Sequence, residues 1–380
     1  VKKKILFLGN HAFVIYNFRK ELIQTLLSNG YEVILSMPYD KDKVPILESW
    51  GCRFIETKVD RRGTNIFKDI KLFLFYLKLI NTVKPDKVLT YTIKPNLYGG
   101  LSSRLCKIPY IANITGLGSG FKKDGLLKNI LQLLYKISLK NAQKVFLQNT
   151  SDQQIIKGLN VVSEDKMGLL PGSGVNLNEF KFIENRINNT FKFIFVGRIM
   201  KDKGIYEYLE AAKKIYDSKE YKAEFLLVGF IESTEIELNQ KIKNYHDKGI
   251  IRYLGYQKDV KPFISQSNSL IQPSHGGEGM SNVLLEAGAM GRILLASNVP
   301  GCKEIINDKK NGFVFFSKDA DDLTEKIKKT LRISENDLYK MSLESRKFVE
   351  LNFNRQIVIN EYMDIIEDIE NSKKRVANNA

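Results

Sequence analysis

Short apolar runs alternate with helical patterns from the start of the chain. Ile5-Leu6-Phe7-Leu8 is uniformly apolar and ends at Gly9. Over 17–29, Phe18, Leu22, Ile23, Leu26 and Leu27 recur at helical spacing, and Gly30 stops the pattern before the next apolar run at 32–36. Strands without polar alternation belong to a parallel sheet covered by helices on both faces. The unit repeats, with further strands predicted at 87–91, 110–114 and 144–148. Residues 184–190 are polar and read as a linker. A second series then opens at 191–197, again closing on a glycine, with strands at 224–229, 251–254, 269–272, 293–296 and 312–315. Helices are expected at 206–217, 320–331, 336–351 and 355–369, followed by a mobile polar tail over 371–380. The expected fold class is α/β, with two successive doubly wound domains at 1–175 and 176–354. Residues 355–380 would form a closing helix, crossing back to the first domain, and the tail. Such sheets bind ligands beyond the carboxyl ends of their strands, and two facing domains would enclose a cleft.

Composition narrows the class. Hydrophobic residues make up 43% and charged residues 27% of 380, an ordinary globular mixture with two buried cores' worth of apolar side chains. Cys52, Cys106 and Cys302 lie far apart, which argues against a zinc module or a disulfide framework and fits a reducing cytoplasm. The most apolar stretch, 72–80, is interrupted by Lys78 and falls short of the ~20 residues that span a bilayer. The opening Val1-Lys2-Lys3-Lys4 leads into a strand without a cleavage site, unlike a signal peptide. The net charge of +16 is unevenly placed: residues 1–180 carry 27 Lys and Arg against 14 acids, and the rest 32 against 29. An anionic partner for the first half is implied: nucleic acid, membrane or a phosphorylated substrate. Within that half, Lys122, Lys123, Lys128 and Lys136 interleave with Leu126, Leu127, Ile130, Leu131, Leu133, Leu134 and Ile137. A basic helix of this kind lies on anionic lipid, or packs its apolar side on a sheet with its lysines in water.

The chemistry concentrates in the second half. In Pro273-Ser274-His275-Gly276-Gly277-Glu278-Gly279-Met280-Ser281-Asn282, glycines cluster before a predicted helix start. Free N–H groups and the helix dipole there suit a phosphate, and glycines let the backbone approach it. Glu278 and Glu286 are carboxylates able to accept bonds from sugar or ribose hydroxyls. Arg198 and Lys203, just after a strand end, are placed to neutralise a diphosphate leaving group. Asp40-Lys41-Asp42 is an Asp-x-Asp triplet in a charged loop, without a supporting nucleotide motif. Gly116-Leu117-Gly118-Ser119-Gly120 lacks the spacing of a dinucleotide fingerprint.

On these residues the chain resembles the retaining glycosyltransferases of family 4, which have the GT-B fold. The resemblance rests on Gly197-Arg198 with Lys203-Gly204, and on Glu278 and Glu286 within Pro-Ser-x-x-x-Glu-Gly-x-x-x-x-x-Leu-Glu-Ala. Pro300-Gly301, Asn311-Gly312 and Gly174-Val175-Asn176 match further landmarks. It implies that Arg198 and Lys203 hold the donor diphosphate and that Glu278 bonds the donor sugar. Gly197, Gly277 and Asn282 would line the donor, with the amides of Gly279, Met280 and Ser281 supporting sugar and phosphate. Glu286 would take the ribose, and the base would lie near Gly229 and Tyr256. Thr92-Ile93-Lys94-Pro95-Asn96 and Thr115-Gly116-Leu117-Gly118 resemble the branch that builds bacterial capsule, O-antigen and lipid-linked glycans. They place Asn10, Lys94, Asn96, Thr115, Gly116 and Gly118 on the acceptor side. Two departures stand out: Gly9-Asn10-His11 where relatives carry Gly-Gly, and Thr115-Gly116 where many carry a histidine. His11 is therefore the candidate catalytic histidine.

The expected activity is transfer of a hexose or N-acetylhexosamine, with retention, from a UDP-sugar to a polyprenyl-diphosphate-linked saccharide. No metal or other cofactor is expected, and the enzyme would sit on the inner face of the cell membrane. The alternatives are a UDP-sugar epimerase of the same fold and a basic nucleic-acid-binding protein. The latter lacks any aromatic RNA-binding motif or zinc module to support it.

Overall fold

The computed structural model describes residues 2–60, 65–117, 126–232 and 234–377. The chain divides into two compact units, Val1–Ser173 together with Ile357–Ala380, and Gly174–Gln356.

Unit 1 holds seven parallel strands: β1 (Lys4–Leu8), β2 (Glu32–Met37), β3 (Arg53–Glu56), β4 (Lys87–Tyr91), β5 (Tyr110–Ile114), β6 (Lys144–Leu147) and β7 (Met167–Leu169). Their order is β3-β2-β1-β4-β5-β6-β7, and Ile5 of β1 lies level with Val33 on one side and Lys87 on the other. The central strands are apolar throughout because both faces are covered. One face packs on helices Ala12–Ser28, Val44–Ser49 and Arg355–Ala377. The other packs on helices Ile66–Val83, Gly100–Leu105 and Leu126–Leu139. The outermost strands, β3 and β7, are absent from the pattern-based expectation. They are short and partly exposed, so their side chains need not be uniformly apolar.

The last helix completes the first unit. Val358, Ile359, Tyr362, Met363 and Ile366 are buried in its core, the Tyr362 hydroxyl bonds the Asn113 side chain, and Lys87 Nζ donates to the Ile365 carbonyl at 2.5 Å. This helix runs to Ala377, so residues 371–377 are helical rather than a polar tail.

Unit 2 holds β8 (Phe191–Val196), β9 (Ala223–Val228), β10 (Arg252–Tyr253), β11 (Ser269–Gln272), β12 (Ile293–Ser297) and β13 (Gly312–Phe315), all parallel. The order is β10-β9-β8-β11-β12-β13. In each unit the chain progresses outward in both directions from one pair of central strands, β1 and β4 or β8 and β11. The loops after such a pair diverge, and the crevice they leave is where doubly wound sheets bind ligands.

Gly204 joins two of those loops. It caps helix Ile205–Ser218 at φ +74°, and a Cβ there would lie 1.8 Å from the Pro273 carbonyl oxygen. Gly204→Ala therefore combines left-handed strain with a backbone clash, and separates the loops after β8 and β11. We expect a loss of about 3 kcal/mol or more and a fall of about 10 °C in the thermal midpoint of unit 2 by calorimetry. A fall below about 2 °C would mean that the two loops move apart freely.

Candidate functional site

The loop after β8 runs Gly197-Arg198 into a single turn of tight helix, Lys201–Lys203. The loop after β11 runs from Pro273 to Ser281, where helix Asn282–Ala289 begins. The first loop brings Lys203 onto the second, and its ammonium pairs with the Glu278 carboxylate. Ser274 Oγ donates to the same carboxylate oxygen at 2.9 Å. The His275 amide donates to the Asp202 carbonyl at 2.9 Å, while His275 Nε2 lies 3.1 Å from Glu207 Oε1 of helix Ile205–Ser218. Glu278 is thereby fixed in a half-buried setting. A carboxylate held by a cation and a hydroxyl keeps acceptor capacity for ligand hydroxyls.

Arg198 is exposed and, among the described residues, holds no ion pair. Among the described residues it is a cation beside the crevice without an internal partner. The helix after the glycine loop offers its start to a ligand, since the Ser281 side chain makes no capping bond and first-turn N–H groups have no intrahelical acceptor. One expected donor is already committed, because the Ser281 amide donates to the Gly301 carbonyl at 2.7 Å. Gly301, at φ +82°, presses on Glu278 and Gly279 so closely that a Cβ would lie 2.7 Å from the Gly279 oxygen. The Pro300-Gly301 turn thus braces the glycine loop from behind. Gly277 is exposed, Gly279 and Met280 are buried, and Asn282 is half-buried with its side-chain oxygen lacking a donor among the described residues.

Glu286 lies one turn into that helix. Desolvation by the protein packed around its carboxyl pushes its pKa up to about 7, against Arg355 and Lys261 and with help from Asp259 and Glu179. Arg355 is itself tied to the Gly174 carbonyl at 3.0 Å. Past β9, Gly229 abuts Gly197 so tightly that a Cβ would meet the Gly197 oxygen at 1.8 Å. The Tyr253 hydroxyl donates to the Gly229 carbonyl at 3.1 Å, and Tyr256 is 66% exposed. Gly197, Arg198, Lys203, Gly229, Tyr256 and Glu278 are thus all on loops beyond the strand ends of unit 2, with Glu286 just inside the following helix.

The first unit answers differently to its expected residues. His11 caps helix Ala12–Ser28, its Nδ1 accepting from the Phe13 amide at 3.1 Å, so one ring nitrogen is committed to structure. Lys94, expected on the acceptor side, is paired with Asp69 at 2.5 Å, largely out of solvent. Asn96 is fully buried. It accepts from Thr90 Oγ1 at 2.7 Å and donates to the Asn113 carbonyl at 2.8 Å, which ties β4 to β5 and makes it a core residue. Asn10, Thr115 and Gly116 are half-buried beyond β1 and β5. Gly118, Lys122 and Lys123 lie outside the described residues. Lys128 belongs to helix Leu126–Leu139, where Lys136 is exposed. Asp40 of the Asp-x-Asp triplet accepts from the Asp42 and Lys43 amides, both at 3.0 Å, and so forms a turn. Among the described residues no three His, Cys, Asp or Glu side chains converge as metal ligands, and no helix is long and apolar enough to cross a membrane.

Comparison with known proteins places this arrangement. Residues 177–347 match the model of "Glycosyl transferases group 1" and residues 4–149 that of "Glycosyl transferase 4-like". Over 96% of this chain and 99% of the relative, the sequence is 27% identical to the N,N'-diacetylbacillosaminyl-diphospho-undecaprenol alpha-1,3-N-acetylgalactosaminyltransferase of Campylobacter jejuni. It is also 27% identical to the capsular polysaccharide biosynthesis glycosyltransferase CapM of Staphylococcus aureus, over 78% of this chain and 80% of CapM. The fold is shared with a glycosyltransferase of Rickettsia africae, at a TM-score of 0.81 and 19% identity over 97% of this chain and 98% of that one. It is shared too with Anabaena HepE, solved with UDP and glucose, at a TM-score of 0.78 and 15% identity over 96% and 100%. With two parallel Rossmann-like units, a strand-end crevice holding a Lys203–Glu278 pair, and a match to both family models, the chain is a GT-B enzyme and belongs to the group 1, family 4-like glycosyltransferases.

Proposed function

We propose that this glycosyltransferase moves a hexose or N-acetylhexosamine from a UDP-sugar to a saccharide carried on a polyprenyl diphosphate, retaining the anomeric configuration. The observation that carries the donor half is Glu278 held by Lys203 and Ser274 beside the uncommitted Arg198. In this reading the diphosphate meets Arg198, Lys203 and the open start of helix Asn282–Ala289. Glu278 takes sugar hydroxyls, Glu286 the ribose diol, and Tyr256 lies against the base.

Catalysis is then mostly electrostatic. As the bond from the anomeric carbon to the diphosphate lengthens, negative charge collects on the departing oxygen, and prepositioned cations stabilise it without reorganising. These cations and the helix start supply the charge compensation for which other transferases use a metal. The acceptor hydroxyl attacks on the face the diphosphate leaves, and its proton passes to the departing phosphate oxygen, so no enzyme nucleophile is needed. Positioning supplies the remainder of the barrier reduction.

The acceptor half is supported by the name of the Campylobacter jejuni relative, which acts on a diphospho-undecaprenol-linked sugar, and by the excess of 27 basic over 14 acidic residues in 1–180. Helix Leu126–Leu139, with Lys136 outward and Ile130 and Leu133 exposed, favours peripheral contact with the inner membrane surface. The test is a panel of UDP- and GDP-sugars, read first by thermal stabilisation and then by transfer to polyprenyl-diphosphate-linked saccharides. One UDP-sugar should stabilise the protein and yield an axial, retained linkage by NMR coupling. An inverted product, or donor epimerised without acceptor, would overturn the proposal.

A further inference from the structure

The glycine loop before helix Asn282–Ala289 has to hold a carboxylate still with few side chains of its own. Gly276 and Gly277 both lie in the left-handed region, at φ +117° and +82°, and glycine pairs swing freely unless their flanks are fixed. The far flank is tied by the Ser281 amide on the Gly301 carbonyl. On the near flank Ser274 is fully buried, and its carbonyl accepts from Ser297 Oγ at 2.5 Å. His275 is the last side chain before the two glycines. What holds it sets the direction in which the chain enters them.

Two groups hold it. The His275 amide donates to the Asp202 carbonyl, and the imidazole Nε2 lies 3.1 Å from Glu207 Oε1, with the two side chains only 11% and 14% exposed. Neither Nε2 nor Glu207 Oε2 has another hydrogen-bond partner among the described residues. Glu207 is the third residue of helix Ile205–Ser218, where a glutamate ordinarily reaches back to the amide of the capping residue. Here that amide, of Gly204, already donates to the Lys201 carbonyl at 2.8 Å. The carboxylate is thus left to face the glycine loop. Lys203 and Glu207 are four residues apart on one segment, and their partners Glu278 and His275 three apart on the other. One contact alone would let the loop pivot about it, and the second removes that rotation.

We propose that Glu207 and His275 are a positioning pair for Glu278. The helix carries Glu207, Glu207 holds the imidazole, and the imidazole fixes the entry to the glycines so that Glu278 meets the donor sugar in one orientation. The role rests on the donor reading of Glu278 above, whereas the contact rests on the geometry of unit 2.

The test uses the full-length protein, with transfer followed on the UDP-sugar that turns over in the panel above and binding on UDP itself. His275→Ala and Glu207→Ala are each expected to lower kcat about tenfold, since small misplacements of a binding group are costly. The double variant should also lose about tenfold, because one contact cannot be lost twice. UDP has no sugar for Glu278 to bind, so its affinity should stay within about twofold in all three. His275→Gln, whose amide nitrogen reaches about as far as Nε2, should recover most of the rate. Amide hydrogen exchange should quicken over 275–281 in both single variants and stay unchanged in the strands of unit 2, which shows that they fold. A double variant about a hundredfold slower, UDP affinity falling with kcat, alanine variants at the parent's rate, or His275→Gln no better than alanine overturns the pair. If the parent transfers no sugar, the functional reading falls and exchange decides the pair. Faster exchange over 275–281 in both variants then upholds it, and an unchanged loop overturns it.

Discussion

Lys203→Ala is expected to lower kcat for sugar transfer by about 10²–10³-fold, the range seen when one preorganised donor to a developing oxyanion is removed. Two effects combine. The leaving diphosphate loses a cation that the fold already holds in place, and Glu278 loses the ammonium that offsets its half-buried charge. The second effect also costs stability, because one partner of a partly buried pair is left behind. Arg198 provides the contrast: it is exposed and has no internal ion pair among the described residues, so Arg198→Ala should lower kcat while leaving the thermal midpoint unchanged. Adding Glu278→Ala to Lys203→Ala should recover stability without recovering transfer. Steady-state kinetics and calorimetry on the three proteins check all of this. Transfer by Lys203→Ala within about threefold of the parent would remove Lys203 from leaving-group stabilisation.

Donor affinity should weaken about tenfold between pH 8 and pH 6 as Glu286 takes up a proton near pH 7. A nucleotide-diphosphate-sugar has no group of its own titrating there, so the change belongs to the protein. In the proposed function the carboxylate accepts two ribose hydroxyls, and the protonated form would lose the charge-assisted part of those bonds. Glu286→Gln should bind the donor about 10–100-fold more weakly and show no pH step. Its stability moves the other way. The folded value of about 7 lies above the ordinary 4.5, so the fold disfavours the charged form. The cost is absent below pH 4.5, grows as pH rises to 7, and is full above it. Glu286→Gln should therefore be more stable than the parent at pH 8, by about 3 kcal/mol, and equal to it at pH 4. Isothermal titration and denaturant melts at the two pH values decide the matter. A pH step that survives in Glu286→Gln would assign it to another group.

Unit 2 was the more legible half of the chain because its chemistry is local. The glycine loop, Glu278 and Glu286 sit within 14 residues of one another, and the strand before and helix after them show in the apolar pattern alone. What the pattern could not show is reach. Lys203 closes on Glu278 from 75 residues away, and the Gly301 turn occupies the Ser281 amide from the loop after β12. In unit 1 the same limit hid the partners of the candidate residues. Lys94 shows no partner in the sequence, yet Asp69, 25 residues earlier, pairs with it. Asn96, placed on the acceptor side by the resemblance, also bonds the Asn113 carbonyl of β5, a contact no sequence pattern shows. His11 carried a signal that could have been used, since a polar residue just before an apolar helix is first a capping residue. The exposed stripe of helix Ile66–Val83, made by Ile66, Phe67, Ile70 and Leu74, was hidden for the opposite reason: the helix is apolar nearly all round, so sequence alone did not tell its buried side from its open one.

The membership of the last helix in the first unit bears on how the chain is made. On the ribosome, the strands of unit 1 emerge first, yet Asn113 must wait for Tyr362, and Lys87 for Ile365, 278 residues later. Unit 2 can close as soon as residue 356 has cleared the exit tunnel, so the half synthesised second is the first able to finish. Until that helix has emerged, one face of the nascent first sheet lacks the cover of Val358, Ile359, Tyr362, Met363 and Ile366, and that apolar surface is what a trigger-type chaperone would meet.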